Sequence, residues 1–167
     1  QGGCLGCFNC AGDGKCIYKD NFDTFLREEI QTASAIVIAF TIKDHSMGSL
    51  FKTYDDRQFC NGHRTVTEGM PFGYLVNGNY ENEHNLKTIV EARAEVGHNF
   101  LAGVGYDPES IKLMINRLTY AIDNKYKRYN TNLITNGIKT RHTIPNAKLT
   151  PNPTKTIITC SIYGLAA

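Results

Sequence analysis

Apolar residues along the chain follow two spacings, one typical of buried strands and one typical of helices. Short continuous apolar runs, rich in β-branched residues, fall at residues 35–40, 72–76 and 100–104 and predict strands covered on both faces. Intervals of three and four predict helices around these runs, with stripes at Phe22, Phe25, Leu26 and Ile30; Met47, Leu50, Phe51 and Tyr54; Leu86, Ile89 and Val90; and Ile111, Ile115, Leu118 and Ile122. Alternating strands and helices indicate right-handed crossovers, so we expect an α/β fold with a parallel sheet.

Residues with capping chemistry indicate where these helices begin and end. Asp20 or Asn21 is available to cap the first helix, and Ser46 to cap the second. Gly97 is a suitable end for the third. Asp107, followed by a proline, predicts the start of a helix that continues to about residue 129.

The C-terminal part of the chain has a different composition. Residues 131–167 contain three of the five prolines and show little periodicity before a β-branched run at residues 156–163, which predicts a strand. We expect this strand to pair with a vacant sheet edge, within the chain or across a dimer, because open edges are a liability. The chain therefore divides into a cysteine-rich loop (1–20), an α/β core (21–130) and a C-terminal extension (131–167).

Composition narrows the class of protein. The 167 residues, 41% of them hydrophobic, suffice for one domain with its own core. The net charge of +2 is too small to favour nucleic-acid binding, and the one basic run, at residues 125–128, falls near a predicted helix end. No apolar run approaches the length of a membrane span, and no signal-peptide pattern is present. We expect a cytoplasmic protein that binds neither nucleic acid nor membrane.

Four cysteines near the start of the chain are the most specific chemical feature. Cys4, Cys7, Cys10 and Cys16 are separated by two, two and five residues, and neighbouring glycines permit the tight turns that bring thiolates together. In an intracellular protein such a group favours metal binding over disulfides. An iron–sulfur cluster, zinc and free thiols remain alternatives at this point. Cys60 and Cys160 lie apart from the group and are expected to be buried apolar residues.

Ligands of parallel α/β sheets bind beyond the carboxyl ends of the strands. In this chain the segments at that edge are residues 41–46, 77–82 and 105–107. They are the expected binding loops. His45 falls in one of them but is expected to be a polar loop residue.

The stretch Cys4-Leu5-Gly6-Cys7-Phe8-Asn9-Cys10, followed by Gly14-Lys15-Cys16, resembles the segment after the second strand in NADPH-dependent FMN reductases and iron–sulfur flavoproteins. Residues 35–40 resemble the third strand of that family. Residues 46–57 resemble its next helix, which ends in an aromatic residue, an acidic residue and arginine. The resemblance extends from about residue 4 to residue 129.

This resemblance implies a flavodoxin-like three-layer sandwich that binds FMN and passes electrons from NAD(P)H or another donor to an unidentified acceptor. By the same resemblance, Cys4, Cys7, Cys10 and Cys16 hold a 4Fe–4S cluster close to the flavin of the same or a neighbouring subunit of a homo-oligomer. Two loops flank the flavin ring: Thr41, Ile42, Lys43 and Asp44 on one side, and Asn77, Gly78, Asn79 and Tyr80 on the other. No catalytic side chain is implied, since the cofactor carries the chemistry.

The chain departs from the family pattern in two places. The family's first strand and phosphate-binding loop would precede residue 1, so the sheet is expected to be incomplete at its N-terminus. Thr41, Lys43 and Asp44 replace the usual proline and aromatic residue. The first hypothesis is a flavin-dependent oxidoreductase with a cluster. Two alternatives remain: a non-catalytic module with a structural four-cysteine metal site, and an FMN reductase without a cluster.

Overall fold

The computed structural model of the chain describes residues 2–61, 66–124 and 157–161. Its four strands form one parallel sheet in the order β3-β2-β1-β4. The strands are β1 (Ala35–Thr41), β2 (Pro71–Asn77), β3 (Phe100–Gly105) and β4 (Ile157–Ser161). The predicted α/β class with a parallel sheet is confirmed.

Helical segments precede the first strand and connect the strands. They are α1 (Cys10–Asp13), α2 (Phe22–Phe25) with a π-helical continuation (Leu26–Ile30), α3 (Gly48–Arg57) with a 3₁₀ turn (Gln58–Asn61), a second 3₁₀ turn (Tyr80–Asn82), α4 (His84–Val96) and α5 (Pro108–Asp123). Neither α1 nor the π-helical turn was predicted from the sequence. Among the described helices, none combines the length and the apolar character that crossing a membrane requires.

The predicted helix starts are confirmed in part. The Asp107 carboxylate accepts hydrogen bonds from the N–H groups of Glu109 (2.8 Å) and Ser110 (2.9 Å), as its capping role requires. Ser46 does not cap α3, because it exchanges two backbone hydrogen bonds with Lys43 across a tight turn, and Met47 takes the cap position. α5 ends at Asp123, before the predicted end near residue 129; residues 125–129 lie outside the described part of the chain.

Hydrophobic packing places helices on both faces of the sheet. On one face, the segment containing Leu26 and Ile30 packs with α3 and α4 against β1 and β2. On the other face, α5 packs Met114 and Leu118 against β1 and β3. Gly73 of β2 permits this close approach, because an added Cβ would lie 2.7 Å from the Met114 sulfur. The result is three layers, helix–sheet–helix.

Four residues of the predicted helical stripes are exposed rather than buried. Phe25, Leu50, Ile89 and Ile115 keep 40%, 46%, 42% and 46% of their surface in contact with solvent. Each helix packs through one face only, and these positions lie at the edge of the stripe. Leu86 and Val90, in the centre of the α4 stripe, are fully buried.

The C-terminal strand occupies the sheet edge beside β1. Ala35 to Ala39 pair in parallel with Ile157 to Ser161. The predicted strand is therefore confirmed over these five residues, and it pairs within the chain; residues 156, 162 and 163 lie outside the described part. Helix α5 covers the face of the sheet opposite to α3 and α4.

Proline substitutions test this pairing. Backbone N–H groups of a strand alternate between its two sides, so in an edge strand only every second one bonds to the neighbour. Of the adjacent substitutions Ile158→Pro and Thr159→Pro, one therefore removes an N–H group that bonds to β1 and the other does not. We expect the first kind to lower the free energy of unfolding by at least about 1 kcal/mol more than the second. The measurement is urea unfolding, combined with hydrogen exchange of the β1 amides. Full retention of amide protection in β1 in both variants would show that β4 does not pair there.

Candidate functional site

The four N-terminal cysteines line one small pocket. Cys4 and Cys7 are exposed, whereas Cys10, which begins α1, and Cys16, which follows it, are half-buried; Gly14 caps the end of α1 with φ 73°. The pocket has a volume of about 20 Å³, and Cys60 also lines it. We call it the thiol pocket; its other lining residues are Leu5, Phe8, Ile17, Tyr18, Arg57 and Phe59. The structure thus brings together the predicted ligands, and adds a fifth thiol.

Residues of α2 and its continuation hold the cysteine-rich loop in place. The Cys16 N–H donates to the Asp23 carboxylate at 3.1 Å. The Arg27 guanidinium donates to the carbonyl oxygen of Gly14. The Tyr18 hydroxyl donates to the Gly3 carbonyl at 3.3 Å. The second half of the loop is therefore fixed to the α/β core, while Cys4 and Cys7 remain near solvent.

Arg57, at the end of α3, forms one wall of the thiol pocket. Its side chain is only 5% exposed, and both terminal nitrogens donate to the Asp20 carboxylate, at 2.7 and 2.8 Å. The guanidinium carbon lies 4.3 Å from the ring centre of Phe22 and 5.0 Å from that of Tyr18. The Arg57 hydrogen bonds lower the pKa of Asp20 to about 2, because they favour the charged carboxylate.

Arg57 also has donors that Asp20 does not use fully. Nη2 lies 3.8 Å from the Cys16 sulfur, within the range for a hydrogen bond to sulfur. Nε is buried and has no hydrogen-bond partner among the described residues. A buried donor without an acceptor costs free energy.

The residue types of the thiol pocket suit a thiophilic metal centre, but their arrangement does not. Thiolates suit iron–sulfur clusters and zinc. Among the described residues, however, no three His, Cys, Asp or Glu side chains are arranged to hold a metal ion. A volume of about 20 Å³ has room for little more than one water molecule. A cluster would therefore require the exposed segment from Cys4 to Cys7 to move outward. Space is available around this segment, since no described atom lies within 4 Å of a Cβ added at Gly6 (φ 65°).

The sequence did not reveal the role of Arg57 or of Cys60. Cys60 is buried, as expected, and burial raises the pKa of its thiol, but it lies in the 3₁₀ turn after α3 and joins the pocket through the fold. No spacing to the other cysteines could have indicated this. A signal for Arg57 existed, since a charged residue is unusual at a buried position of a helix. The Cys160 side chain lies outside the described part.

The two predicted flavin loops meet at the carboxyl edge of the sheet. The Ile42 N–H donates to the Asn77 carbonyl at 2.9 Å, and the Asn77 amide lies 3.4 Å from the Thr41 hydroxyl. Ile42 also fills the space beside Gly78, where an added Cβ would lie 3.1 Å from it. The structure therefore brings these four residues together.

The other predicted flavin residues differ in exposure. Lys43, Asp44 and Asn79 are exposed, and Asp44 has φ 48° in the tight turn. Tyr80 is buried, with its ring 5.4 Å from that of Tyr106, and burial raises its pKa to about 12. Tyr80 is therefore part of the packed support beneath the loop.

The helix starts at this edge do not suit a phosphate. Ile42 and Tyr106 are half-buried and offer apolar surface. The helices that begin here carry carboxylates at their starts: Asp107 accepts the first N–H groups of α5, and Glu83 precedes α4 and contacts His45 at 3.0 Å. Negative charge at a helix N-terminus opposes a phosphate. Among the described residues, the starts of α4 and α5 therefore offer no anchor for a phosphate.

The thiol pocket and the carboxyl edge lie at opposite ends of α3. This helix starts beyond the end of β1 and runs ten residues to Arg57, or about 14 Å at 1.5 Å per residue. Cys4 and Phe8 also share a cavity with Arg93, from the last turn of α4, which leads back to the start of β3. The cysteines thus lie toward the amino ends of the strands, not beside the carboxyl-edge crevice.

Comparison with known proteins gives no match: no protein-family model matches the chain, and neither the curated proteins nor the solved structures that were searched contain a significant relative. The resemblance to FMN reductases and iron–sulfur flavoproteins therefore stays a prediction. The α/β fold, the thiol pocket and the carboxyl-edge loops are what the structure itself provides.

The Asp20–Arg57 ion pair predicts a specific pH dependence of stability. The folded-state pKa of Asp20, about 2, lies below its ordinary value of 3.8, so the pair stabilises the fold above pH 4 and loses this effect as the pH falls toward 2. At pH 7, Asp20→Asn should lower the free energy of unfolding by about 1–2 kcal/mol, after allowance for solvent at the carboxylate.

Urea unfolding at pH 7 and at steps from pH 4 to pH 2 measures both effects. The difference between the wild-type protein and Asp20→Asn should shrink over that interval. Asp44→Asn, at an exposed carboxylate of the carboxyl-edge turn, is the matched control and should change stability little. A difference that stays constant down to pH 2 would contradict the assignment.

Proposed function

We propose that this chain is an electron-transfer protein or oxidoreductase whose redox centre is an iron–sulfur cluster held by Cys4, Cys7, Cys10 and Cys16. The observation that carries this proposal is the thiol pocket, in which all four cysteines of the motif line one cavity beside a buried guanidinium. Four thiolates are the usual ligand set of a 4Fe–4S cluster. When bound, the cluster supplies one-electron chemistry.

The residues of this chain have definable tasks around such a centre. The thiolates of the motif would bind it, and the Gly6 N–H, 3.4 Å from the Cys4 sulfur, donates to one of them. Leu5, Phe8 and Ile17 line the pocket with apolar side chains that are exposed to solvent. Tyr18 and Phe22 hold the guanidinium of Arg57 in place. Hydrogen bonds to sulfur and exclusion of solvent are the means by which a protein adjusts a cluster's potential.

The second part of the proposal is a flavin, FMN by the family resemblance, at the carboxyl edge of a flavodoxin-like domain. Its support is the contact between residues 41–42 and 77–78 at the end of the sheet where α/β proteins bind ligands. The electron donor would be NAD(P)H or a comparable reductant, and the chain contributes position rather than a catalytic side chain. Because the two sites lie at opposite ends of α3, direct contact between cluster and flavin would involve a neighbouring subunit of a homo-oligomer.

One observation favours a second function, a non-catalytic module with structural zinc. The thiol pocket, at about 20 Å³, has room for a single ion rather than for a cluster of four irons and four sulfides. In this alternative the metal would fasten the cysteine-rich loop to α3, and no redox chemistry would follow. Metal content distinguishes the two functions directly.

Anaerobic reconstitution with ferrous iron and sulfide tests the cluster proposal. We expect about four irons and four acid-labile sulfides per chain, with broad visible absorption that bleaches on reduction. Cys10→Ser should lose most of this iron. Cys60→Ser is the matched control, since it removes a thiol of the same pocket that the motif does not include, and it should retain the iron. One zinc per chain, and no sulfide retained after gel filtration, would establish the structural alternative.

Equilibrium dialysis with FMN and with riboflavin tests the flavin proposal. Both should bind, with affinities within about tenfold of each other, because carboxylates occupy the helix starts of α4 and α5. Gly78→Val should abolish binding, since its Cβ would meet Ile42 and φ at this position is 131°. Circular dichroism checks that the variant folds, and its iron content should equal that of the wild-type protein. Unchanged flavin affinity in Gly78→Val would show that the flavin binds elsewhere.

A further inference from the structure

A separate cavity of about 290 Å³ lies where α3 and α4 meet the sheet. Its walls include Phe51 and Tyr54 of α3, Phe72 and Tyr74 of β2, and Arg93 of α4. The described residues that line it include none of the motif cysteines and none of the predicted flavin residues. We call it the α3–α4 cavity, and it is distinct from both sites described above.

Aromatic rings form much of the wall of the α3–α4 cavity. Phe51 and Tyr74 are buried, and Tyr54 and Phe72 are half-buried. Concave, largely apolar sites with aromatic walls are typical of small-molecule binding, and aromatic rings pack well against the face or edge of another ring. An apolar cavity of about 150 Å³ can hold benzene. The α3–α4 cavity therefore has room for a single ring with a substituent.

The Tyr74 hydroxyl is a buried donor that lacks an acceptor among the described residues. Tyr74 is only 2% exposed, and none of the hydrogen bonds in the described part of the chain involves its hydroxyl. Burial raises the pKa of this hydroxyl, so it stays protonated, and the charges of Arg93 and Asp55, which line the same cavity, act on it. Buried tyrosine hydroxyls usually have a hydrogen-bond partner. A ligand in the cavity would supply the missing acceptor.

The charged groups of the cavity wall compensate each other. Arg93 forms an ion pair with Asp55, whose side chain is 10% exposed, and Lys52 lies 3.7 Å from the same carboxylate. A charged ligand would lose its hydration beside a pair that is already neutral, at a cost in free energy. The cavity therefore favours a neutral ligand.

We propose that the α3–α4 cavity binds a neutral, planar aromatic molecule of one ring, which accepts a hydrogen bond from the Tyr74 hydroxyl. The rings of α3 and β2 select the planar ring, and Tyr74 selects an acceptor on its substituent. This binding site depends neither on a cluster nor on a flavin, so it extends the chain's chemistry beyond the proposed function.

Titration of the isotope-labelled protein with benzamide, followed by NMR of the backbone amides, tests this inference. Benzamide carries a flat ring and a carbonyl acceptor, and it should shift the amides of Phe72, Tyr74 and Arg93 in a saturable way. Cyclohexanecarboxamide has the same amide on a saturated, puckered ring and should bind at least about fivefold more weakly. Tyr74→Phe should weaken benzamide binding by about fivefold, the usual effect of losing one hydrogen bond. Tyr120→Phe, on α5 at the opposite face of the sheet, is the matched control and should bind benzamide as the wild-type protein does.

Several results would overturn the inference. One is the absence of saturable shifts at the cavity residues of the wild-type protein, which would mean that the cavity holds water only. Others are equal affinities for benzamide and cyclohexanecarboxamide, or equal benzamide affinities in the wild-type protein and Tyr74→Phe. Shifts confined to residues 41–44 and 77–80 would place benzamide at the carboxyl edge and overturn it as well. Urea unfolding shows that Tyr74→Phe is folded, and if it is not, the two ligands and the location of the shifts in the wild-type protein still decide the question.

Discussion

The arrangement of the cysteine-rich loop depends on one buried charge, the guanidinium of Arg57. Burial of a cation is unfavourable unless hydrogen bonds and an opposite charge compensate it, and Asp20 supplies both. Asp20 follows the last cysteine of the motif by four residues, so the pair fixes that end of the loop to the end of α3. The sheet and its two helical layers form the support against which this link is made.

Periodicity in the sequence predicted most of the sheet, because a strand buried on both faces must be apolar throughout. The runs that became β1, β2 and β3 are of this kind, and Asp107 capped its helix because its side chain can reach two free N–H groups. The prediction that Ser46 caps α3 was wrong, because Ser46 takes part in a backbone turn with Lys43. A pattern of residue types indicates which local structures a residue favours. It does not show whether a serine will form a turn or cap a helix when both are possible.

The candidate sites were predictable to different degrees for the same reason. The cysteine motif is local, so its spacing alone indicated a shared centre, and the structure places all four thiols around one pocket. Cys60 and Arg57 reach that pocket only because α3 returns toward the amino ends of the strands. That return also separates the thiol pocket from the carboxyl-edge loops, by about the length of α3. Long-range placement of this kind follows from the crossover topology, which no short motif encodes.

The central claim is that the motif cysteines and Cys60 surround a single pocket against Arg57. Treatment of the metal-free, reduced protein with a short bifunctional thiol reagent, followed by peptide mass spectrometry, tests it most directly. We predict a cross-link between Cys60 and Cys10 or Cys16. The account would be contradicted if cross-links formed only between neighbouring cysteines of the motif, while Cys60 either did not react or carried a reagent whose second end had not reacted with another cysteine.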